Sequence, residues 1–590
     1  MESFKRTTGC GLVTEKFLNQ TIWLAGWVNK RRDHGNVIFI DLRDRTGLMQ
    51  IVLSPEFSEA ALKEAHILRS EYVIAVEGKV VERSAQTINP EMATGKFELQ
   101  VSHLKILNKA KMLPFTLEEA ESVDEELRLK YRYIDLRRPE MHEHFVLRHK
   151  IIFAIREFLN NEGFYEIETP ILTKNTAEGA REFLVPSRTH YGAFYALPQS
   201  PQLYKQLLMA GGIERYFQVA RCFRDEDLRA DRQTEFTQLD LEMSFINELD
   251  VQTLIEKLLA FILKKIFNQT LELPLMRMKY DDAFKNYGSD KPDVRFDLKI
   301  KDITALFIKT EVSFMHSIIE KNGKIGALHV QGYDFTRSEL ENWVSRALKN
   351  GAKGLVWIRF GTDGKIEAPI AKFLPTDFFE QVKNIIPELQ RGDTLFLIAA
   401  SYKEAWMQLG RLRLQIAHEL KMIPENHNAL LWVTDFPLLE YDAENKRWSS
   451  AHHPFTRPQE GWESLQPQDI KARSYDIVLN GIELGGGSIR IHEPELQKKI
   501  FEFLGFYEEQ MHQQFGFLIE AQELGFPPHG GIALGLDRLL MLLLKCASIR
   551  EVIAFPKTQS GADPMMDAPM PLNQTKLAEY SLKLIPQEKE

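Results

Sequence analysis

Five short runs within the first 108 residues, TIWLAGWV, NVIFIDLRD, LMQIVL, YVIAVEGKVV and KFELQVSHLKIL, are separated by Gly, Asn and charged turns, with one helical interruption near 58–69. Closely spaced β-rich segments of this kind suggest a small barrel. A β-sandwich is the alternative that the pattern leaves open.

The rest of the chain changes character. With 590 residues there is room for roughly four domains of about 150 residues each. A charged, poorly periodic stretch over 109–140 reads as a hinge. Phe145, Ile151, Ile152, Ile155, Phe158 and Leu159 then recur at helical spacing as far as Gly163, and FYEIETPIL reads as a strand. From 290 to 415 the chain reads as a separate αβ unit, in which Thr336 and Glu339 form a capping box opening a helix through Leu348, and GLVWIRF is a buried strand. No catalytic constellation is legible there, so this segment reads as a structural insertion. The stretch from about 560, rich in Pro, Met and Asp, reads as a tail that is disordered or packed on the surface.

The net charge of −9 gives no global field drawing the protein to nucleic acid, so any such contact must use a local basic patch. Cys10, Cys222 and Cys546 are far apart and lack metal-ligand spacing, which suits a reducing compartment and argues against zinc or disulfides. MESFKRTTGC lacks the apolar stretch of a secretory signal, and the longest strongly apolar run, LLMLLL at 539–544, is too short to span a bilayer. The expectation is a cytoplasmic protein without a membrane partner.

Three segments carry chemistry. RYFQVARCFR and FTQLDLEMSF flank the loop DEDLRADRQTE and read as two antiparallel strands. Strand alternation puts Gln238, Asp240 and Glu242 on one side, and Gln218, Ala220, Cys222 and Arg224 together on the partner. Such a polar face is either solvated or a binding surface. Arg224 beside Glu226, with Arg229, Arg232 and Gln233 in the loop, suits a nucleotide, because the planar guanidinium fork matches phosphate.

In SYDIVLNGIELGGGSIRIH, Asn480-Gly481 signals a two-residue hairpin turn. Val478 then faces Glu483, and Asp476 lies diagonal to Glu483 on the same face, roughly 7–8 Å away. Like charges at that spacing repel unless one protonates or a cation intervenes, and an ATP-bound Mg²⁺ is the functional reading. Gly485, Gly486 and Gly487 permit close approach of a ligand or mark a bulge. In HGGIALGLDRLLMLLLKC, IALG reads as a buried strand and a core helix begins near Leu536. Arg538 in its first turn opposes the helix dipole, at a cost of about 0.3–1 kcal/mol when exposed. Either a surface ion pair or a bound anion, such as a triphosphate, offsets that cost.

Taken together, these segments resemble the three motifs of class II aminoacyl-tRNA synthetases, and over essentially the whole chain the similarity is to the bacterial aspartyl type of subclass b. FLNNEGFYEIETP resembles motif 1, which in the family builds the dimer interface; FRDEDLRADRQTEFTQLD resembles motif 2 and GIALGLDRLL motif 3. The resemblance implies an α+β multidomain protein. Residues 1–108 would be an anticodon-binding oligonucleotide-binding barrel of five strands and 109–140 a hinge. Residues 141–289 and 416–560 would be two parts of an antiparallel-sheet catalytic domain, 290–415 an inserted αβ domain and 561–590 a C-terminal extension.

The site residues follow by the same resemblance. Ser200, Gln202 and Lys205 in QSPQLYKQ, with Arg490, would bind aspartate; Asp240 would hold its ammonium; Glu178 in TAEGAREF would lie on a closing loop; and His452 would touch the amino acid. A buried unpaired carboxylate is strongly disfavoured, which is why cations such as Lys205 and Arg490 are needed. The paired histidines also read as a structural turn before Pro454. Arg224, Asp225, Glu226, Gln233, Glu483, Gly535, Leu536, Asp537 and Arg538 would bind ATP, with Arg224 and Arg538 catalytic. Asp476 and Glu483 would hold Mg²⁺.

In the barrel, the basic run Asn29–Arg32 would place Arg32, with Phe39 and Gln50, on the anticodon, although strand parity alone reads Phe39 as a core aromatic. The implied partners are L-aspartate, ATP, tRNA-Asp and a second copy of the chain. Some relatives charge tRNA-Asp alone and others tRNA-Asn too; His34 in RRDHGN resembles the relaxed type. Asparaginyl and lysyl enzymes are the nearest rivals, against which Lys205 favours an acidic amino acid. A non-catalytic RNA-binding paralogue and a ligase amidating aspartate are rivals of other classes, and the barrel has no role in the second.

Overall fold

The computed structural model describes residues 5–175, 180–425, 427–442 and 446–585, and the chain divides into two compact units, 1–143 and 144–590. In the first unit β1 (Thr21–Asp33), β2 (Ile38–Asp44), β3 (Gly47–Leu53), β4 (Val73–Glu82) and β5 (Phe97–Asn108) close into a barrel in the order β1-β2-β3-β5-β4. Closure excludes the sandwich and leaves no open edge. Ile22, Leu24, Val28, Ile38, Ile40, Leu42, Ile51 and Leu99 fill the interior.

One irregularity sets which side chains face outward. A bulge in β1 between Val28 and Lys30 inserts Asn29, so that Val28 points inward while Lys30 and Arg32 point out. Arg32 therefore stands opposite Phe39, and Asp41 opposite Gln50, on the outer face of the barrel. Phe39 is half-buried between the fully buried Ile38 and Ile40. The parity reading of Phe39 as a core aromatic is thus corrected: its two neighbours are the core residues of this strand.

Within 109–140 lie two short helices, Glu125–Lys130 and Arg132–Asp135, and a small apolar cluster of Phe115, Ala120 and Ile134. Buried Asp135 pairs with Arg132 at 2.6 Å and Arg138 at 3.2 Å. Ion pairs rather than apolar periodicity organise this stretch.

The second unit holds an eight-stranded sheet. Its strands are β6 (Tyr165–Glu166), β7 (Arg215–Phe223), β8 (Glu235–Ser244), β9 (Met276–Lys279), β10 (Leu430–Thr434), β11 (Ser474–Leu479), β12 (Ile482–Ile489) and β13 (His529–Gly535), in the order β9-β10-β11-β12-β13-β8-β7-β6. The ladder is antiparallel except at its two ends, β9/β10 and β6/β7. FYEIETPIL contributes only Tyr165–Glu166, a two-residue edge strand paired in parallel with β7.

Alternation gives this sheet two unlike faces. Phe217, Leu239, Leu241, Tyr475, Ile477, Leu484, Ile532 and Leu534 join one core with Ile151 and Ile155 of the helix Pro139–Asn161 and Val251, Ile255 and Leu258 of the helix Glu248–Phe267. Each fully buried large aliphatic or aromatic side chain contributes about 1.5–3 kcal/mol. The opposite face carries Gln218, Gln238, Asp240, Glu242, Asp476 and Glu483, and there the site is built.

Between residues 301 and 400 a second, five-stranded antiparallel sheet has an apolar core on each face. Thr336 and Glu339 form the capping box of the helix Arg337–Lys349, and Val356–Phe360 is a strand. Beyond residue 560 the described residues hold one short helix, Gln574–Ala578. No helix among the described residues is long and apolar enough to cross a membrane.

Candidate active site

A cleft of about 640 Å³ opens on the polar face of the eight-stranded sheet. It is lined by Ser200, Gln202, Lys205, Arg224, Glu226, Gln233, Asp240, His452, Asp476, Glu483, Arg490, Gly535 and Arg538 among others. The hairpin register accounts for its floor: Asp240 sits opposite Gln218 on β7 and opposite Ala533 on β13, with Gln238 and Glu242 two residues away on the same face. The polar face inferred from alternation is therefore buried, and its charges are matched.

The matching is done by residues distant in sequence. Lys205 Nζ lies 2.7 Å from Asp240 Oδ1 and 3.2 Å from Glu242 Oε2. Arg490 donates through Nε to Glu242 Oε1 at 2.9 Å and through Nη2 to Oε2 at 3.2 Å. Side-chain exposure is 1% for Lys205 and Asp240, 0% for Glu242 and 2% for Arg490. Two cations and two anions thus form a neutral buried quartet. Burial raises both acids, but Arg490 and Lys205 more than offset it for Glu242, which is held at about 2. For Asp240 burial prevails over Lys205, and its carboxyl sits above the ordinary range. Although Lys205 is in ion-pair contact, neither oxygen of Asp240 accepts an aligned hydrogen bond, so Asp240 keeps acceptor capacity.

Other groups beside the quartet are also available. Gln202 Nε2 is buried with no hydrogen-bond partner among the described residues. His453 touches Arg490, with Nε2 2.6 Å from Nη1. Burial lowers both imidazoles, His452 to about 4 and His453 well below its ordinary value, with Arg490 adding to the effect, so both are neutral near pH 7. His452 lines the same cleft and lies edge-on to Phe436.

At the other end of the cleft Arg224 has no side-chain hydrogen bond or ion pair among the described residues. Its guanidinium lies over the ring of Phe236, 5.2 Å from the centroid, and its Nε is buried without a partner. It is a cation prepared for an anion. Arg538 Nη1 donates to the Glu483 carbonyl at 2.7 Å, and Nη2 lies 3.3 Å from Asp231 Oδ2. The ion pair weighed for Arg538 is present, yet its Nε remains unpartnered. Glu226 accepts from Arg232 Nη1 at 3.1 Å, and the Gln233 amide is tied to the backbone of Lys557.

Some expectations need correction. Leu536 is in the apolar core, so its side chain cannot meet a nucleotide. Asp537 stands in the cleft wall with both oxygens engaged, Oδ1 by Arg148 Nη1 and Oδ2 by the Thr237 N–H at 2.7 Å. It lines the cleft while tying the helix Leu536–Leu543 to the sheet. Asp225 is exposed and outside the lining, with its N–H on the Arg181 carbonyl. Glu178 lies outside the described residues.

The Asn480-Gly481 turn forms as expected, both residues having positive φ, and Val478 pairs with Glu483. A bulge between Ile477 and Val478, with Leu484 the extra residue on the partner strand, places Asp476 opposite Gly486, so Asp476, Glu483 and Gly486 share the cleft face. A Cβ on Gly486 would come 2.4 Å from Asp476 Oδ1, an oxygen that is buried without a partner. Burial, with Glu483 and Asp290 adding to it, pushes Asp476 well above the carboxylate range. Burial also raises Glu483, but Lys291 and Arg538 more than offset it. An oxygen-lined, negatively charged pocket with one unsatisfied carboxylate fits a hard divalent cation.

On the barrel, Arg32 donates to both oxygens of Asp41 at 2.6 Å and to Gln50 Oε1 at 3.3 Å, and Gln50 Nε2 donates to Glu98 at 3.0 Å. His34 is exposed and edge-on to Phe39, with ring centroids 5.7 Å apart. Arg32, Phe39 and Gln50 are thus brought together on one outer face, half of it aromatic and half a polar network. Sequence reasoning missed Phe236 and His453. Phe236 has the parity of Gln238 and Asp240, so alternation could have found it.

A family model described as tRNA synthetases class II (D, K and N) matches residues 124–559, and one described as OB-fold nucleic acid binding domain matches 22–107. An aspartate–tRNA ligase of Staphylococcus haemolyticus is 50% identical over 98% of this chain and 99% of its own length. That of Staphylococcus aureus is 49% identical over the same shares. Among solved structures, the asparaginyl-tRNA synthetase of Pyrococcus horikoshii, complexed with asparaginyl-adenylate, shares the fold with a TM-score of 0.59 at 19% identity, covering 94% of this chain and 99% of that one. With the motifs joined around one cleft and the similarity running almost end to end, the chain belongs to the class II tRNA synthetases of the D, K and N group and, within them, to the aspartate–tRNA ligase family.

Proposed function

We propose that this enzyme activates L-aspartate with ATP and transfers it to tRNA-Asp and, in a relaxed mode, to tRNA-Asn. The observation that carries the amino-acid assignment is the buried quartet of Lys205, Arg490, Asp240 and Glu242 opening onto the cleft that holds Arg224. Lys205 and Arg490 receive the side-chain carboxylate of aspartate, assisted by Ser200 and Gln202, and Asp240 receives its ammonium. A neutral or cationic side chain at that position would leave the site's charges unbalanced.

Arg224 meets the α-carboxylate of aspartate and the α-phosphate of ATP, and Arg538 and Glu226 help hold the nucleotide. The carboxylate attacks the phosphorus in line, pyrophosphate leaves, and the terminal ribose hydroxyl of tRNA then displaces AMP from the adenylate. Positioning and stabilisation of developing charge supply most of the acceleration in such chemistry. Asp476 and Glu483 would hold the Mg²⁺ that accompanies ATP, which neutralises phosphate charge. No zinc takes part in this account. Phe153, 61% exposed on the helix Pro139–Asn161, and Leu172, 52% exposed, are apolar surface that a second copy of the chain covers. The compartment is the cytoplasm, in keeping with three cysteines that form no disulfide among the described residues.

The outer face of the barrel binds the anticodon, Phe39 by stacking and Gln50 and Arg32 through polar edges. Losing one stacked base costs about 1–3 kcal/mol. Phe39→Ala is therefore expected to lower kcat/KM for tRNA charging by roughly 5- to 150-fold, while aspartate-dependent ATP–pyrophosphate exchange without tRNA is unchanged. A matching fall in exchange would remove Phe39 from the RNA interface. Charging assays with each purified tRNA test the relaxed mode, for which aspartylation of both is expected; complete inactivity on tRNA-Asn would refute it and leave the tRNA-Asp assignment standing.

A further inference from the structure

Lys291 belongs to no catalytic motif discerned in the sequence, yet its ammonium lies at the end of the cleft where the carboxylates gather. Nζ is 3.3 Å from Glu483 Oε2 and 3.9 Å from Asp290 Oδ2. Asp290 lines the cleft together with Asp476 and Glu483. Three carboxylates gather against the Lys291 ammonium and the Arg538 guanidinium, and burial beside Glu483 and Asp290 holds the Asp476 carboxyl up, so an added cation is favoured there. Asp476 is 7% exposed and its Oδ1 has no partner among the described residues, so one oxygen is already open to a ligand.

The backbone at Lys291 is fixed by a turn, while its side chain is held only through its ammonium. Its N–H donates to Ser289 Oγ at 3.1 Å, within the turn GSDKPD that follows the helix Tyr280–Tyr287. The side chain is 40% exposed, with a flexible four-carbon stem. An ammonium and a metal ion cannot both contact one carboxylate oxygen without strong repulsion.

We propose that Lys291 is a built-in counterion of the cation site: in the nucleotide-free enzyme it neutralises Glu483, and a divalent cation entering with ATP displaces it. The released ammonium then faces the cleft just as the triphosphate charge arrives, and so exchanges a carboxylate partner for a phosphate. This rests on reading Asp476 and Glu483 as cation ligands. It gives the start of the segment read as a structural insertion a part in nucleotide binding.

Mn²⁺ is the probe, its free concentration read by electron paramagnetic resonance in titrations of the full-length protein. Without nucleotide, Lys291→Met is expected to bind Mn²⁺ about five- to tenfold more tightly than wild type, Lys291→Arg to match wild type, and Lys291→Met/Glu483→Gln to lose the gain. Circular dichroism and the unfolding midpoint establish that each variant is folded. Affinity in Lys291→Met equal to or weaker than wild type overturns the counterion role. A parallel titration with ATP present separates the two readings: if Glu483→Gln does not weaken Mn²⁺ binding there, the ligand assignment itself fails, whereas a weakened Glu483→Gln beside an unchanged Lys291→Met strikes Lys291 alone.

Discussion

Replacing Lys205 by Ala is expected to reduce aspartate-dependent ATP–pyrophosphate exchange by at least about 100-fold and to destabilise the fold by about 3–5 kcal/mol. Both effects have one origin. Asp240 and Glu242 are almost wholly inaccessible to water, and Lys205 touches both. Without it, Arg490 alone must balance two buried carboxylates, and the cost of breaking a buried pair is mostly that of the charge left behind. The substrate then brings a further carboxylate to a floor that is already negative. Urea unfolding together with exchange kinetics checks the result. Near-normal exchange in Lys205→Ala would remove the quartet from amino-acid recognition.

Arg224→Ala is expected to lower kcat for exchange by about 10²–10³-fold, the usual effect of deleting one donor aimed at developing charge. Here stability should hardly move. Arg224 has no ion pair among the described residues, and its contact with Phe236 is of a kind worth about 0.5–1 kcal/mol when exposed. The two variants therefore separate a cation that balances the protein from one held ready for substrate. A loss of several kcal/mol in Arg224→Ala, with little loss of rate, would reverse that distinction.

Much of this architecture was legible because alternation and turn chemistry act locally. The Asn480-Gly481 turn, the capping box at Thr336 and Glu339, and the shared face of Asp240 and Glu242 all formed where their residue types require. What escaped depended on irregularities or on distant partners. The bulge at Asn29 turns Arg32 outward, and nothing in the run NKRRD announces it. Parity alone reads Phe39 inward, whereas Ile38 and Ile40 are the residues that fill the barrel. Asp537, adjacent to Arg538, lines the cleft, but its pairing with Arg148, 389 residues away, is not legible in the sequence. The part of His453 is not legible in HHPF because only the fold brings Arg490 against it. Family resemblance supplied the roles of Lys205 and Arg490; periodicity could not, since each acquires its meaning from carboxylates on another strand.

The most direct test is amino-acid-dependent ATP–pyrophosphate exchange by the wild-type protein, with aspartate, asparagine and lysine offered in separate reactions. The account predicts exchange with aspartate and none above background with the other two. Exchange supported by asparagine or lysine but not by aspartate would contradict it.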